Sequence, residues 1–156
     1  SFKILTYSYN NNCIQLADML QAELSQIGID LSIETMDVLD DSLAAGDYDI
    51  AILNYAMAPI GTPSYFINML FTTGASNNYG GYSNDKVDAL AAEIGVTADT
   101  DKVDSLTKEL SQQVLDDNAF AFVADQQLIF VYSNKVKGVQ INPTEYYLVT
   151  NTLAVD

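Results

Sequence analysis

Histidine and arginine are absent from these 156 residues, and cysteine occurs once. Without histidine there is no His-based triad, no imidazole general base and no imidazole metal ligand. A single cysteine makes neither an internal disulfide nor a Cys-rich zinc site. Without arginine, any phosphate clamp falls to six lysines, and these face 21 acidic side chains. The resulting net charge of −15 repels nucleic acid and anionic lipid. Three prolines and eight glycines are too few for a collagen-like or low-complexity chain. A hydrophobic content of 49% is too high for a solvated coil. No run approaches the ~18 apolar residues that a membrane-spanning helix needs. The length suits one domain with a core of its own.

The lone Cys13 sits in the polar stretch Tyr9-Asn10-Asn11-Asn12-Cys13, beside an expected helix start. A lipid-modified cysteine would need a hydrophobic segment before it, and a nucleophile would need a histidine partner. A free, partly buried thiol is therefore expected. The sequence contains no signal peptide. It opens in mid-strand with Phe2-Lys3-Ile4-Leu5-Thr6-Tyr7, so further residues are expected upstream.

Phe2–Ser8 is β-rich and alternating, which predicts a strand. Asn10–Asn12 offers an N-cap for a helix carrying Ile14, Leu16, Ala17, Met19, Leu20, Leu24 and Ile27 at helical spacing, and Gly28 stops it. Ile29–Met36 alternates again. The strand–helix–strand unit predicts a parallel pair. Asp37–Ala45 predicts a short helix ending at Gly46. Tyr48–Tyr55 is an almost continuous apolar run, as in a central strand buried on both faces.

Pro63 fits the first turn of a helix over Ser64–Phe71. Thr72–Ser83, rich in Gly, Asn, Ser and Tyr, reads as a loop. Asn84 caps a helix over Asp85–Ile94. Asp99 or Thr100 starts another that runs to about Asp117, with Val103, Leu106, Leu110, Val114 and Leu115 apolar. Ala119–Ala124 and Leu128–Tyr132 are expected as strands joined by a tight turn at Asp125–Gln127. Ser133–Asp156 reads as mostly extended. The class is α/β, with a mixed sheet and flanking helices.

In Gly46-Asp47-Tyr48-Asp49-Ile50-Ala51-Ile52, Asp47 and Asp49 share one side of a strand entrance. They are read as turn and strand-edge polarity rather than as a carboxylate pair that does chemistry. In Tyr82-Ser83-Asn84-Asp85-Lys86-Val87-Asp88-Ala89-Leu90, Asp85 and Asp88 favour the positive end of the helix that Asn84 caps.

These segments stand in a recognisable order: Leu24-Ser25-Gln26-Ile27-Gly28-Ile29-Asp30-Leu31, the Gly46–Ile52 strand, a loop ending at Pro63, Asn78-Tyr79-Gly80-Gly81-Tyr82-Ser83-Asn84, Val87-Asp88-Ala89-Leu90 and Val136-Lys137-Gly138-Val139. The ordered set, from about residue 2 to 150, resembles the C-terminal lobe of the family 5 extracellular solute-binding proteins, the peptide- and nickel-binding components of ABC importers. The resemblance implies one lobe of a type II periplasmic-binding-protein-like architecture, in which two lobes close on a ligand like a hinge. It implies a ligand-binding lobe over residues 1–133. Residues 134–156 become an extended tail returning to an N-terminal lobe, expected here to be disordered or to pair on itself or on a neighbouring copy. It also implies an ABC permease as partner, a peptide or small-molecule ligand, and a location lipid-anchored outside the cell membrane or in the periplasm.

In such folds ligands sit beyond the carboxyl ends of the strands. The Tyr48–Tyr55 run delivers its end into Asn54-Tyr55-Ala56-Met57-Ala58-Pro59-Ile60-Gly61-Thr62-Pro63, the segment that lines the cleft in the family. The family's aromatic position falls on Tyr55, or on Met57 if the loop is aligned backwards from Pro63. An Asp that receives a peptide ammonium in some members falls on Ala58 or its neighbours, and no carboxylate stands between Asp49 and Asp85. The spacing of Asn54, Ala58-Pro59 and Pro63 looks more like the nickel-type branch, while zero histidines and one cysteine leave no direct metal site expected in this lobe. A chelator complex could rest on Tyr55, Met57 and Tyr65. The loop residues Asn77, Asn78, Tyr79 and Tyr82, with nearby glycine amides, suit a polar ligand, and turn chemistry explains the same composition.

Three functions compete on these residues. The first is the importer's binding module, working without cofactor or covalent step. The second is a structural or adhesive bacterial surface domain. The third is an α/β hydrolase or phosphotransferase. Against the third stand the absence of a G-x-S-x-G elbow, a glycine-rich phosphate loop and a Cys–His pair.

Overall fold

Residues 1–56, 61–125, 129–140 and 149–156 are described by a computed structural model. Two compact units divide the chain, residues 1–55 and 56–156.

In the first unit, strand β1 (Phe2–Tyr7) leads into helix α1 (Asn11–Ser25), strand β2 (Leu31–Met36), helix α2 (Asp40–Ala45) and strand β3 (Ile50–Ile52). Asn10 caps α1 as its position predicts, its side-chain oxygen accepting from the amides of Asn12 and Cys13 at 3.1 and 3.2 Å. Gly28 turns the chain at a positive φ of 82°, and β2 follows three residues later. β1 pairs in parallel with both β2 and β3, Ile4 lying opposite Ile33 on one side and Ile50 on the other.

That order corrects the expectation for Tyr48–Tyr55. Only three of its residues are strand, and among the described residues they pair on one side alone. The central, most buried strand is β1, where Ile4, Leu5 and Thr6 are fully inaccessible. The apolar run of β3 is real, but only Ile52 in it is buried, and the ladder ends there, with Asn54 exposed two residues on.

α1 covers one face of this sheet. Cys13 and Ala17 meet Ile4, Leu31 and Ile52, with Leu16, Leu20 and Leu24 packed around them. Cys13 is free and buried, as expected. Met19 and Ile27 are 59% and 71% exposed, contrary to the helical reading. Met19 lies off the stripe set by Cys13, Ala17, Leu20 and Leu24, and Ile27 falls in the turn beyond the helix. α2 starts at Asp40 rather than Asp37. Asp37 is instead bound by the Ser8 hydroxyl, which donates to its carboxylate.

Asp47 and Asp49 close the amino end of the sheet. The Lys3 amide donates to Asp49 Oδ2 at 2.7 Å, and Lys3 Nζ sits 2.7 Å from Asp47. Their role is strand-edge polarity, as read.

The second unit contains helices α3 (Ser64–Leu70), α4 (Asp85–Val96) and α5 (Thr100–Asp116). Asn84 and Asp99 cap α4 and α5 through side-chain oxygens. α4 packs on both α3 and α5. Phe66, Ile67, Leu70, Val87, Leu90, Ala91, Ile94, Leu110 and Val114 are the buried positions, spaced as helical stripes. Leu115, counted on the apolar face of α5, is exposed, because it stands one residue past that stripe.

The two strands expected over Ala119–Ala124 and Leu128–Tyr132 do not form among the described residues, and Gln126, Gln127 and Leu128 lie outside them. The alternation serves a different contact. Phe120 and Phe122, two residues apart, pack edge-on against Phe71 with centroids at 5.2 and 6.0 Å. Ile129 and Val131 are exposed and have no strand beside them in the described residues.

Part of the tail pairs on itself. β4 (Val136–Lys137) and β5 (Ala154–Val155) run antiparallel, Val136 opposite Val155. Gly138 allows this approach: its φ is +69°, and a Cβ there would stand 1.9 Å from the Thr152 carbonyl oxygen. Parallel and antiparallel pairing thus both occur, in separate sheets.

Burial separates two leucines of α5 that the sequence pattern treats alike. Leu110→Ala is expected to cost ~2–5 kcal/mol. Leu115→Ala should stay within about 0.5 kcal/mol of the parent. Urea unfolding of both variants checks this.

Candidate functional site

Parallel pairing places the carboxyl ends of β1, β2 and β3 at one edge of the first unit. In open α/β sheets ligands bind at such an edge, at the point where the order of the strands reverses and the chain connections go to opposite sides. Here that point lies between β1 and β3, since α1 leads from β1 to β2 on one side and β3 joins on the other.

Three tyrosines gather there. Tyr7 ends β1, Tyr9 follows it with ring centroids 5.1 Å apart, and Tyr55 follows β3. Tyr9 is 67% exposed, whereas Tyr7 and Tyr55 are half-buried. Burial, then the neighbouring Tyr55, Tyr9 and Asp40, push the ionisation of Tyr7 up to about 12. Beneath them Thr6 donates to the Ile52 carbonyl at 2.9 Å, a buried bond tying β1 to β3. Burial also raises the Cys13 thiol, and the Thr6 hydroxyl partly offsets this. A raised thiol is a poor nucleophile.

The second unit has its own groove, of about 500 Å³, between α3 and the loop after it. Ser64, Tyr65, Asn68, Met69, Ser76 and Asn77 line it. The walls are held together by the Asn77 amide, which donates to the Met69 carbonyl at 3.0 Å. Tyr65 and Asn68 face outward because Phe66, Ile67 and Leu70 take the buried side of α3. The lining is neutral throughout and offers hydroxyls, carboxamides, one aromatic ring and one thioether.

The residues expected at the site divide accordingly. Tyr55 lies at the sheet's carboxyl edge, and Tyr65 lies in the groove of the second unit. Met57, Ala58 and Pro59 lie outside the described residues. Asn78 braces its own loop: its side-chain amide donates to the Thr72 and Tyr82 carbonyls at 3.1 and 2.7 Å, and its oxygen accepts from the Tyr82 amide at 2.9 Å. Tyr79 is half-buried in that loop. The Tyr82 hydroxyl donates to Asp117 at 2.6 Å, where Asn84 also donates at 2.7 Å. The sequence reading missed Tyr7, Tyr9, Ser64, Asn68 and Ser76. Applying the strand-end rule to β1 as well as to Tyr48–Tyr55 would have found the first two. Asn68 stands three residues from Tyr65 on one helical face.

The family described as bacterial extracellular solute-binding proteins, family 5 Middle, matches residues 1–78. The chain belongs to family 5 of the bacterial extracellular solute-binding proteins. Among relatives of this family, the nickel-binding protein NikA of Staphylococcus aureus is 23% identical over 148 residues, covering 94% of this chain and 30% of NikA. The probable D,D-dipeptide-binding periplasmic protein DdpA of Escherichia coli is 28% identical over 147 residues, covering 89% of this chain and 28% of DdpA. The crystal structure of Staphylococcus aureus NikA in complex with Ni(L-His)2 superposes with a TM-score of 0.80 at 20% identity, over 99% of this chain and 34% of that one. A putative peptide-binding protein AppA from Clostridium difficile gives 0.82 at 22% identity, over 99% and 33%. The chain therefore spans about a third of the length of these family 5 proteins. Its α/β fold is that of one lobe of the periplasmic-binding-protein-like class. Among the described residues no helix is long and apolar enough to cross a membrane, and no three His, Cys, Asp or Glu side chains cluster to hold a metal ion.

Burial and the Asp117 contact raise the Tyr82 ionisation to about 12, as burial and its neighbours do for Tyr7. Both groups are raised above their unfolded value of about 10. The stability they contribute is full below that pH and is lost as pH rises through about 12. Asp117 has the opposite sign: its donors, Tyr82 first and Asn84 next, hold it below the usual carboxylate range. Its contribution is present above about pH 4 and is lost as pH falls through the lowered value. Of the ten tyrosines, Tyr7 and Tyr82 should ionise late in a 295 nm absorbance titration. Tyr82→Phe should remove part of that late phase, and an unchanged late phase would contradict the assignment.

Proposed function

We propose that this chain is the ligand-binding part of the substrate-binding component of an ABC importer. Residues 1–133 form one jaw of a two-lobed receptor, and residues 134–156 lead back to the other. The jaw grips its cargo when the second lobe closes on it, then hands it to a permease in the membrane. No bond is made or broken, and no cofactor or resident metal takes part. The family match over residues 1–78 carries this reading, because it includes the whole parallel sheet and Tyr55.

The cargo is a peptide, nickel or a nickel chelate. Support comes from relatives named for nickel and for a D,D-dipeptide. A chain without histidine and with one buried cysteine favours a peptide or a chelate over the bare ion. Tyr55, Met57, Ala58 and Pro59 line the cleft. Tyr65, Asn78, Tyr79 and Tyr82 add contacts from α3 and its loop, whose neutral groove suits amide or chelate groups. The receptor works on the outer side of the cell membrane, lipid-anchored, or in the periplasm.

Isothermal titration tests the reading with nickel, a nickel–histidine complex and a peptide pool. The full-length protein should bind one of these, and the 156-residue chain alone should bind weakly or not at all, since closure is missing. Tyr55→Ala in the full-length protein should weaken binding roughly three- to tenfold, with its melting temperature unchanged. Tight binding by the isolated chain, or an unchanged dissociation constant in the variant, would refute it.

A further inference from the structure

The groove on the outer side of α3 is uncharged in a chain that carries −15 overall. From Ile50 to Asn84 the sequence holds no charged side chain, and every residue lining the groove falls in that stretch. An ionic ligand would leave water there without meeting a counter-charge, at a cost that nothing in the lining offsets. The ligand that suits it is therefore neutral. Two side chains are left to bind one. Tyr65 is 45% exposed, and among the described residues neither its hydroxyl nor the Asn68 carboxamide has a hydrogen-bond partner. Other polar groups of the walls are already engaged: Thr62 donates to Ser64 Oγ at 3.0 Å, and Ser76 donates to Asn77 Oδ1 at 2.8 Å. Much of the backbone is engaged too, since Ser64–Leu70 is helical and the Asn77 amide donates to the Met69 carbonyl. An extended peptide, which is held through main-chain hydrogen bonds, finds little to bind here.

We propose that this groove binds a neutral sugar ring bearing an acetamido group. The C–H face of a pyranose ring is apolar and stacks on an exposed aromatic ring such as Tyr65, while the sugar hydroxyls stay in water. A carboxamide both donates and accepts, so Asn68 matches the N–H and C=O of an acetamido group. Tyr65 and Asn68 stand three residues apart on one face of α3, roughly 5–6 Å between Cβ atoms, a separation that one substituted hexose spans. Met69, beside Asn68 in the lining, gives the acetamido methyl an apolar and adaptable contact. The groove's volume of about 500 Å³ falls within the roughly 300–1,000 Å³ of small-molecule sites.

The inference goes beyond the receptor reading, since the groove lies wholly within the second unit and takes its ligand with or without the other lobe. The acetamido sugar is either free or the end of a glycan chain, and both present the same ring to Tyr65.

The test titrates the full-length protein, followed by NMR, with N-acetylglucosamine, glucose, protonated glucosamine and tri-N-acetylchitotriose. N-acetylglucosamine is expected to saturate with a dissociation constant on the order of 1 mM. Glucose, which lacks the acetamido group, and glucosamine, which carries a charge in its place, should bind at least about fivefold more weakly. Tyr65→Ala should weaken binding of N-acetylglucosamine about tenfold. Asn68→Leu should bring its preference over glucose to within about twofold. Both side chains are on the surface, and circular dichroism melting verifies that the variants fold. Tighter binding of the trisaccharide than of the monosaccharide assigns the source to a glycan chain, and otherwise the source is the free sugar. No saturable binding of either acetamido sugar, equal binding of glucosamine, or binding unchanged in both variants overturns the inference. Each of those results leaves the receptor reading to its own titrations with nickel and peptide.

Discussion

Parallel pairing on both sides of β1 is the constraint from which the first 55 residues take their form. A parallel neighbour cannot be reached by a tight turn, so the chain must cross over between strands. α1 makes the first crossing and buries Cys13 and Ala17 against Ile4, Leu31 and Ile52. The second crossing, through α2, brings β3 to the opposite side of β1. All three strands then end at one edge, and whatever residues follow them are gathered there. Tyr7, Tyr9 and Tyr55 are neighbours for this reason and no other, although up to 48 positions separate them in sequence.

The opposite edge uses its polar residues differently. There Lys3 binds Glu34 and Asp47 through its ammonium and Asp49 through its amide, closing the sheet with ion-pair and backbone contacts. One end of the sheet thus spends its charges internally, while the other keeps aromatic faces and carboxylates towards solvent. In the second unit the same division appears on α3. Its buried side is Phe66, Ile67 and Leu70, and its outer side gives Tyr65 and Asn68 to a neutral groove. The loop beyond is set by Asn78 and by the Tyr82–Asp117 bond, so its polar groups serve structure first.

Much of this was legible in the residues. Asn10, Asn84 and Asp99 marked helix starts because a side-chain oxygen there satisfies amides that the helix leaves open. The α1 stripe and the βαβ order followed from periodicity. What sequence did not reveal was which strand is central. Tyr48–Tyr55 is more continuously apolar than Phe2–Tyr7, yet pairing rather than composition decides burial, and pairing is not local. The alternation at Ala119–Ala124 misled for the same reason: a period of two describes an extended segment with one packed side, and Phe71 provides that packing without a ladder. The aromatic edge was legible in part: Tyr55 follows a long apolar run whose end is obvious, whereas Tyr7 and Tyr9 merge into the polar stretch that caps α1.

We propose that cargo touches this lobe at the carboxyl edge of the parallel sheet. Hydrogen–deuterium exchange of the full-length protein, with and without saturating tetra-alanine, addresses it directly. Slower exchange is predicted at the amides of residues 8–13 and 53–56. Protection confined to the opposite edge, around Lys3 and Asp47–Asp49, would contradict it.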